Sequence, residues 1–164
     1  MSVKKERPRA AGGPRGVPLP AAWKERNVPQ QKLLALLVSD GSAWFDELSW
    51  RLESHGLETW IVDSRTEAAD LIQESHPELI FTATTFPEGT WSELVDMARK
   101  SSVPANVIVV GKRVDIELYV RAIEYGAFDF LLPPFETDQL SHVLRVATED
   151  VRRAREAAIA VVSG

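Results

Sequence analysis

Leu33-Leu34-Ala35-Leu36-Leu37-Val38 is the first of several short apolar runs, and these runs decide the fold class. Four more follow along the chain, at residues 59–62, 79–82, 107–110 and 128–132. Amphipathic stretches with helical spacing separate them. The first, third and fourth runs are almost continuously apolar, which is typical of strands covered by helices on both faces of a sheet. The alternation predicts a doubly wound five-stranded parallel sheet in a three-layer α/β/α sandwich.

Capping signals predict where the helices between these runs begin and end. Ser64 precedes Glu67, and Thr90 precedes Glu93, at the spacing of a capping box. Each hydroxyl can then accept a hydrogen bond from an amide that the first turn leaves unpaired. Glycines end two further predicted helices, Gly56 after residues 42–55 and Gly126 after residues 116–125.

Residues 1–31 differ in composition from the rest of the chain. They are rich in Pro, Gly, Ala and Arg without a sustained apolar period, so we predict a disordered tail. Seven basic and two acidic residues give this tail a charge of +5; because the whole chain carries −5, residues 32–164 carry −10. The positive charges are spread out, which favours a solvated tail over a nucleic-acid contact.

Composition excludes several classes of site. The chain has no cysteine, and its three histidines lack metal-ligand spacing. No apolar stretch is long enough to span a membrane, which requires about 18–20 residues. No glycine-rich phosphate loop, Gly-x-Ser-x-Gly motif or pair of carboxylates follows a predicted strand. We therefore expect a cytoplasmic protein that is not an enzyme and has no cofactor or metal.

Ligands of a doubly wound sheet collect at the carboxyl ends of the central strands, so the residues there are the candidates for chemistry. They are Ser39-Asp40-Gly41, Ala83-Thr84-Thr85-Phe86-Pro87, Gly111-Lys112-Arg113 and Pro133-Pro134-Phe135. Threonines are common at strand ends, which disfavours phosphorylation of Thr82, Thr84 or Thr85 by a hydroxyl-directed kinase.

Residues 32–147 resemble the receiver family of two-component signalling, which has a flavodoxin-like fold. The resemblance rests on four stretches: Leu37-Val38-Ser39-Asp40, residues 77–81 with Phe86-Pro87 behind them, residues 121–130, and Pro134-Phe135. Gly126-Ala127-Phe128-Asp129-Phe130, with the later Pro-Phe step, is the most specific part. The resemblance covers a receiver-like domain at 32–147; with the tail at 1–31 and an extension of the last helix at 148–164, it gives three predicted units.

The same resemblance implies which residues stand at the family's active positions. The phosphoacceptor aspartate falls on Ala83, the metal-binding acidic pair on Ser39 and Asp40, the hydroxyl residue on Gly111, the lysine on Pro133, and an aromatic that reports activation on Phe130. A methyl group has no lone pair with which to attack phosphorus. One carboxylate is a poor magnesium site. The resemblance therefore predicts a degenerate receiver that is not phosphorylated.

Two of these residues have an alternative structural explanation. Asp40 can cap the first helix, since a carboxylate near a helix amino end is favourable. Phe130 can be an ordinary core aromatic. Lys112 and Arg113, which follow a strand, are expected to be solvated.

The last helix is predicted to run past the receiver-like region and to form a surface for self-association. Its apolar residues follow a heptad spacing at Leu140, Leu144, Ala147, Val151, Ala154, Ala158 and Val161. Arg152, Arg153, Arg155 and Glu156 lie off this seam and are expected to be solvated. A homodimer and a monomer with a frayed terminal helix are the two alternatives, because alanines bury little area.

These features favour a protein-interaction module in or beside a two-component pathway. The expected partner is a histidine kinase or another signalling protein, with a second copy of the chain as a further candidate. The alternative function is a small-molecule or nucleotide-binding regulatory domain on the same fold.

Overall fold

The structure of the protein, a computed structural model, describes residues 32–163. Strands and helices alternate along the chain, with one small hairpin inserted after the third strand. In chain order they are β1 (Leu34–Val38), α1 (Ala43–Ser54), β2 (Glu58–Val62), α2 (Arg65–Ser75), β3 (Leu79–Ala83), β4 (Thr85–Phe86), β5 (Gly89–Thr90), α3 (Trp91–Lys100), β6 (Asn106–Val110), α4 (Ile116–Tyr125), β7 (Asp129–Leu131) and α5 (Thr137–Ser163). The tail predicted at residues 1–31 lies outside the described residues.

The main sheet has five parallel strands in the order β2-β1-β3-β6-β7. Each strand contains one of the five predicted apolar runs or most of it. The strand order reverses between β1 and β3, which is the pattern of a doubly wound, flavodoxin-like sheet. The predicted fold class is therefore confirmed. The antiparallel pair β4-β5 was not predicted.

Two hydrophobic clusters cover the two faces of the sheet, and alternate residues of each strand contribute to one or the other. Ala35, Leu37 and Phe81 pack with residues of α1 and α5. Leu36 and Ile80 pack with residues of α2, α3 and α4. This alternation follows from the two-residue period of a strand and explains why the central strands read as continuous apolar runs.

The predicted helix ends agree with the structure except at one cap. Ser64 Oγ accepts from the amide of Glu67 at 3.0 Å, as a capping box requires. Thr90 is the residue before α3, but its side chain makes no cap hydrogen bond and lies 3.1 Å from Ser92 Oγ instead. The predicted capping box at Thr90 is therefore wrong, although the helix start is right. Its hydroxyl pairs with a neighbouring side chain in place of the backbone.

Helix α5 continues to Ser163, well past the end of the sheet, as its apolar spacing predicts. Arg155, expected to be solvated, is only 4% exposed. It reaches under the amino ends of the strands, where Nη1 lies 3.4 Å from Glu78 Oε2. Its other nitrogens donate to the carbonyl oxygens of Pro104 at 2.8 Å, His76 at 3.0 Å and Pro77 at 3.1 Å. The expectation failed because helical phase alone does not show which loops lie beside the helix.

A second contact holds α5 at the same edge. The Asn106 side-chain amide donates to the carbonyl oxygen of Ala147 at 3.0 Å and to the carboxylate of Asp150 at 3.1 Å. Together with Arg155, this contact fixes α5 to the sheet about two turns beyond residue 147. Residues 148–155 therefore belong structurally to the folded domain.

Candidate functional site

The carboxyl ends of β1, β3 and β6 form the polar edge of the sheet where the strand order reverses. Ser39, Asp40, Ala83 and Gly111 meet there, as the sequence predicts. Ala83 is the last residue of β3, is 1% exposed and pairs in register with Val110. Its side chain is a methyl group. Ser39, which is also buried, accepts a hydrogen bond through Oγ from the amide of Gly41 at 2.8 Å.

The carboxylate of Asp40 has two partners. Oδ1 accepts from the amide of Ser42 at 2.9 Å, and Oδ2 lies 3.2 Å from Lys112 Nζ. Burial alone would raise the pKa of Asp40, but the hydrogen bonds from Ser42 and the charge of Lys112 outweigh it and hold the pKa below its usual value. The carboxylate is therefore ionised at neutral pH and paired with a cation of the chain itself.

These contacts correct two expectations about the loops. The residue before α1 is Ser42, and Asp40 bonds to that residue, so Asp40 forms the turn into the helix without capping it. Lys112 was expected to be simply solvated, yet it crosses from the end of β6 to the end of β1. Because its side chain is 61% exposed, the pair contributes no more than about 1 kcal/mol to stability. The pair is important because Lys112 engages the carboxylate of Asp40.

Gly111 is buried at the end of β6, and the ring of Phe130 fills the space beside it. A Cβ atom at residue 111 would lie 2.6 Å from Phe130 Cζ and 2.8 Å from Cε1. Phe130 also contacts Tyr119 of α4 edge to face, with ring centroids 6.0 Å apart. Phe130 is half-buried and packs against the core cluster on this face of the sheet, which agrees with the alternative of a core aromatic. Its ring also links the polar edge of the sheet to α4.

An open groove of about 440 Å³ lies between α4, β7 and the beginning of α5, and we call it the α4–α5 groove. Its lining residues are Val114, Asp115, Ile116, Tyr119, Phe130, Leu132, Pro133, Pro134, Glu136 and Gln139. Val114 is 75% exposed and Ile116 69% exposed. The predicted site residue Pro133 lies on this groove, joined to Pro134 by a cis peptide bond. Sequence reasoning missed the groove, although Val114, Ile116 and Tyr119, which form one side of it, lie close together in the sequence.

The hairpin β4-β5 lies beside the polar edge, and Glu88 in its turn and Glu93 of α3 both contact Arg65. Glu88 Oε1 accepts from the amide of Arg65 at 3.0 Å, and the Arg65 guanidinium lies 3.4 Å from Glu93 Oε2. These contacts tie the hairpin to the amino end of α2. Glu88 and Glu93 are thus engaged with Arg65.

The residues at the polar edge do not fit a divalent cation, which the family resemblance implies. Magnesium prefers carboxylate and other oxygen ligands. Here β3 ends on a methyl group, and the carboxylate of Asp40 is bound to Lys112. Within residues 32–163, no cluster of three or more histidine, cysteine, aspartate or glutamate side chains is placed to hold a metal.

The predicted seam on α5 divides into two parts. Leu140, Leu144, Ala147 and Val151 are at most 5% exposed, so they are covered within the chain and unavailable to a second copy. Ala154 and Ala158 are half-buried, and Val161 is 78% exposed. Only the last three residues of the seam remain for a partner.

The doubly wound sandwich with its polar residues at the carboxyl edge defines a class of α/β signalling and binding domains. The family model described as the response regulator receiver domain matches residues 35–145. The chain belongs to this family. Receiver domains are signalling modules of two-component response regulators and interact with kinases and other signalling proteins. In the part of the chain that the structure describes, no helix is both long and apolar enough to cross a membrane.

Similar proteins agree with this assignment. A response regulatory protein of Yersinia pestis is 31% identical over 121 residues, which cover 73% of this chain and 50% of that protein. Regulatory protein AtoC of Escherichia coli is 25% identical over 114 residues, which cover 70% of this chain and 25% of AtoC. The chain thus spans between a quarter and half of the length of these relatives.

Solved structures show the same fold. The signal receiver domain of a LuxO repressor protein from Vibrio parahaemolyticus superposes with a TM-score of 0.67 at 22% identity, over 81% of this chain and 98% of that one. The beryllofluoride-activated NtrC4 receiver domain dimer gives a TM-score of 0.65 at 26% identity, over 72% of this chain and 98% of that one.

Proposed function

We propose that this chain is a degenerate receiver domain, one that accepts no phosphoryl group and works as a protein-interaction module beside a two-component pathway. One observation carries the proposal: at the polar edge, Ala83 ends β3 with a methyl group while Lys112 occupies the carboxylate of Asp40. Aspartyl phosphate needs an attacking carboxylate and a bound metal ion that shields the incoming charge. The end of β3 offers no carboxylate, and the carboxylate of Asp40 is already paired with Lys112.

The nearest hydroxyl on β3 supports the same conclusion. Thr82 is fully buried, and its Oγ1 donates to the carbonyl oxygen of Ala83 at 2.9 Å. A hydroxyl engaged in this way inside the sheet is not available to a kinase. We therefore propose that binding, without phosphoryl transfer, is the activity of the domain.

The partner surface that we propose is the face around the α4–α5 groove. Ile116, Tyr119, Val120 and Ile123 of α4 are exposed side by side, next to Val114. A contiguous exposed apolar surface rimmed by polar residues is typical of a protein-binding site. The proposed partner is a histidine kinase or another signalling protein that offers a complementary apolar surface.

Beryllofluoride or acetyl phosphate with magnesium is expected to leave the melting temperature and the tryptophan fluorescence of this chain unchanged. The reason is that both reagents act through an aspartate and a bound cation. The measurement is thermal denaturation with and without each reagent, with a phosphorylatable receiver as the positive control. A magnesium-dependent rise in melting temperature that disappears in Asp40→Asn would contradict the proposal.

We further propose that the exposed end of α5 mediates a homodimer. Sedimentation velocity of the full chain should then show a dimer, and Ala158→Glu with Val161→Glu should give a monomer. Ile159→Glu with Ala160→Glu is the matched control, because both residues are exposed on the side of the helix opposite the seam, and it should leave the dimer intact. A full chain that sediments as a monomer refutes this seam. Point substitutions are preferred to a truncation of the chain after Thr148, because the truncation would also remove Arg155 and its contacts with the sheet.

A further inference from the structure

The chemistry of the α4–α5 groove selects a particular kind of ligand. Its walls are apolar, and Tyr119 and Phe130 form an aromatic floor beside Pro133 and Pro134. Grooves lined by aromatic residues bind proline-rich segments, because such segments are already extended and lose little entropy on binding. The two charged residues that line the groove, Asp115 and Glu136, are both acidic. The groove therefore fits an extended, proline-containing and basic segment.

The chain itself contains such a segment before the first strand. Pro14-Arg15-Gly16-Val17-Pro18-Leu19-Pro20 combines three prolines with a basic residue and two apolar side chains. Trp23, Lys24 and Arg26 follow within six residues of Pro20, with one acidic residue, Glu25, among them. The tail as a whole carries +5 and the remainder of the chain −10, so their charges are complementary.

We propose that the α4–α5 groove binds residues 14–26 of the same chain. The segment from Val17 to Pro20 lies on the aromatic floor, and basic residues of the segment face Asp115 and Glu136. The inference rests on the proposed function in one respect: the segment covers the surface offered to partners, so a partner must displace it.

The length of the tail makes this contact possible. Pro20 is separated from β1 by the 13 residues 21–33, whose fully extended length is about 45 Å. A domain of this size has a radius of gyration of about 14 Å, so the segment from Val17 to Pro20 can reach the groove from the start of β1. A tether of this kind gives an effective concentration in the millimolar range. Even a weak contact is then populated.

Paramagnetic relaxation measured by NMR tests the proposal on the full chain. Because the sequence contains no cysteine, Ala21→Cys gives a single site for a nitroxide label. We expect the amide signals of residues 114–119 to lose most of their intensity. Signals of α2, which packs against β1 near the other edge of the sheet, should keep theirs. Equal broadening of α2 and α4 overturns the proposal.

Neutral variants of the groove provide the control. Asp115→Asn keeps an oxygen that can accept from the amide of Leu118, as Asp115 does at 3.0 Å, so the helix cap is retained. With Glu136→Gln it removes both negative charges, and the broadening at residues 114–119 should fall clearly. Unchanged broadening in this double variant contradicts the charge-guided contact.

A mixed sample separates the tail of the same chain from that of a second copy. Spin-labelled chains without ¹⁵N are mixed with unlabelled ¹⁵N chains, and the ¹⁵N signals at the groove should stay intact. Broadening in the mixture overturns the intramolecular contact. The beryllofluoride experiment does not involve the groove, so failure of either proposal is visible without the other.

Discussion

Replacing Arg155 with alanine is expected to lower the free energy of unfolding by about 3–5 kcal/mol. Removing one partner of a buried ion pair leaves the other charge buried without its counter-charge. Glu78 and Arg155 have side chains only 3% and 4% exposed. The variant also leaves the carbonyl oxygens of His76, Pro77 and Pro104 without the guanidinium. Chemical denaturation followed by circular dichroism measures the loss.

Neighbouring arginines on α5 supply the matched control. Arg152 and Arg153 are exposed, so their replacement by alanine should change stability by no more than about 0.5 kcal/mol. Glu78→Gln combined with Arg155→Met should recover much of the loss, since buried ion pairs can often be replaced by apolar groups. If Arg155→Ala is as mild as Arg152→Ala, the guanidinium does not anchor the helix.

The sequence predicted the architecture because several independent signals agreed. The apolar runs marked β1, β3 and β6, and the glycines that end α1 and α4 have φ angles of +91° and +129°, in the range that favours glycine. Thr90 shows the limit of such local rules. Its hydroxyl has a second partner in Ser92, and the competition between these partners is decided only in the folded structure.

The role of Arg155 was not predictable from helical phase. Its partners lie 51 to 79 positions away in sequence, in loops that only the fold brings together. One signal was available, however. Glu78 directly precedes an apolar strand, and a carboxylate that is buried there needs a cation or several donors. Which basic residue supplies the cation is decided only by the fold.

The residues of the polar edge were predictable one by one, because parallel strands bring their carboxyl ends to one edge of the sheet. Their contacts were not. Asp40 and Lys112 belong to loops after different strands, and the ion pair depends on the direction of two side chains. Similarly, nothing in the sequence shows that the ring of Phe130 takes the space that Gly111 leaves open.

Gly111→Ala is expected to destabilise the domain by about 1–3 kcal/mol, because the added methyl group overlaps the ring of Phe130 and forces it to move. The glycine is not required by its backbone, which lies outside the left-handed region. Its small size is what matters. Chemical denaturation measures the cost, and a change in the Tyr119 ring signals should report the displaced Phe130.

A double-mutant cycle with Phe130→Ala shows whether overlap with the Phe130 ring causes the destabilisation by Gly111→Ala. Exchanging glycine for alanine also stiffens the unfolded chain, which stabilises the protein by about 0.4–1 kcal/mol in either background. That contribution cancels in the cycle, so the coupling energy isolates the overlap. With the ring removed, Gly111→Ala should be neutral or stabilising. If the two substitutions add within about 0.5 kcal/mol, Phe130 does not depend on the space at Gly111. A large coupling energy instead means that the size of residue 111, at the polar edge, determines the position of the Phe130 ring in the α4–α5 groove.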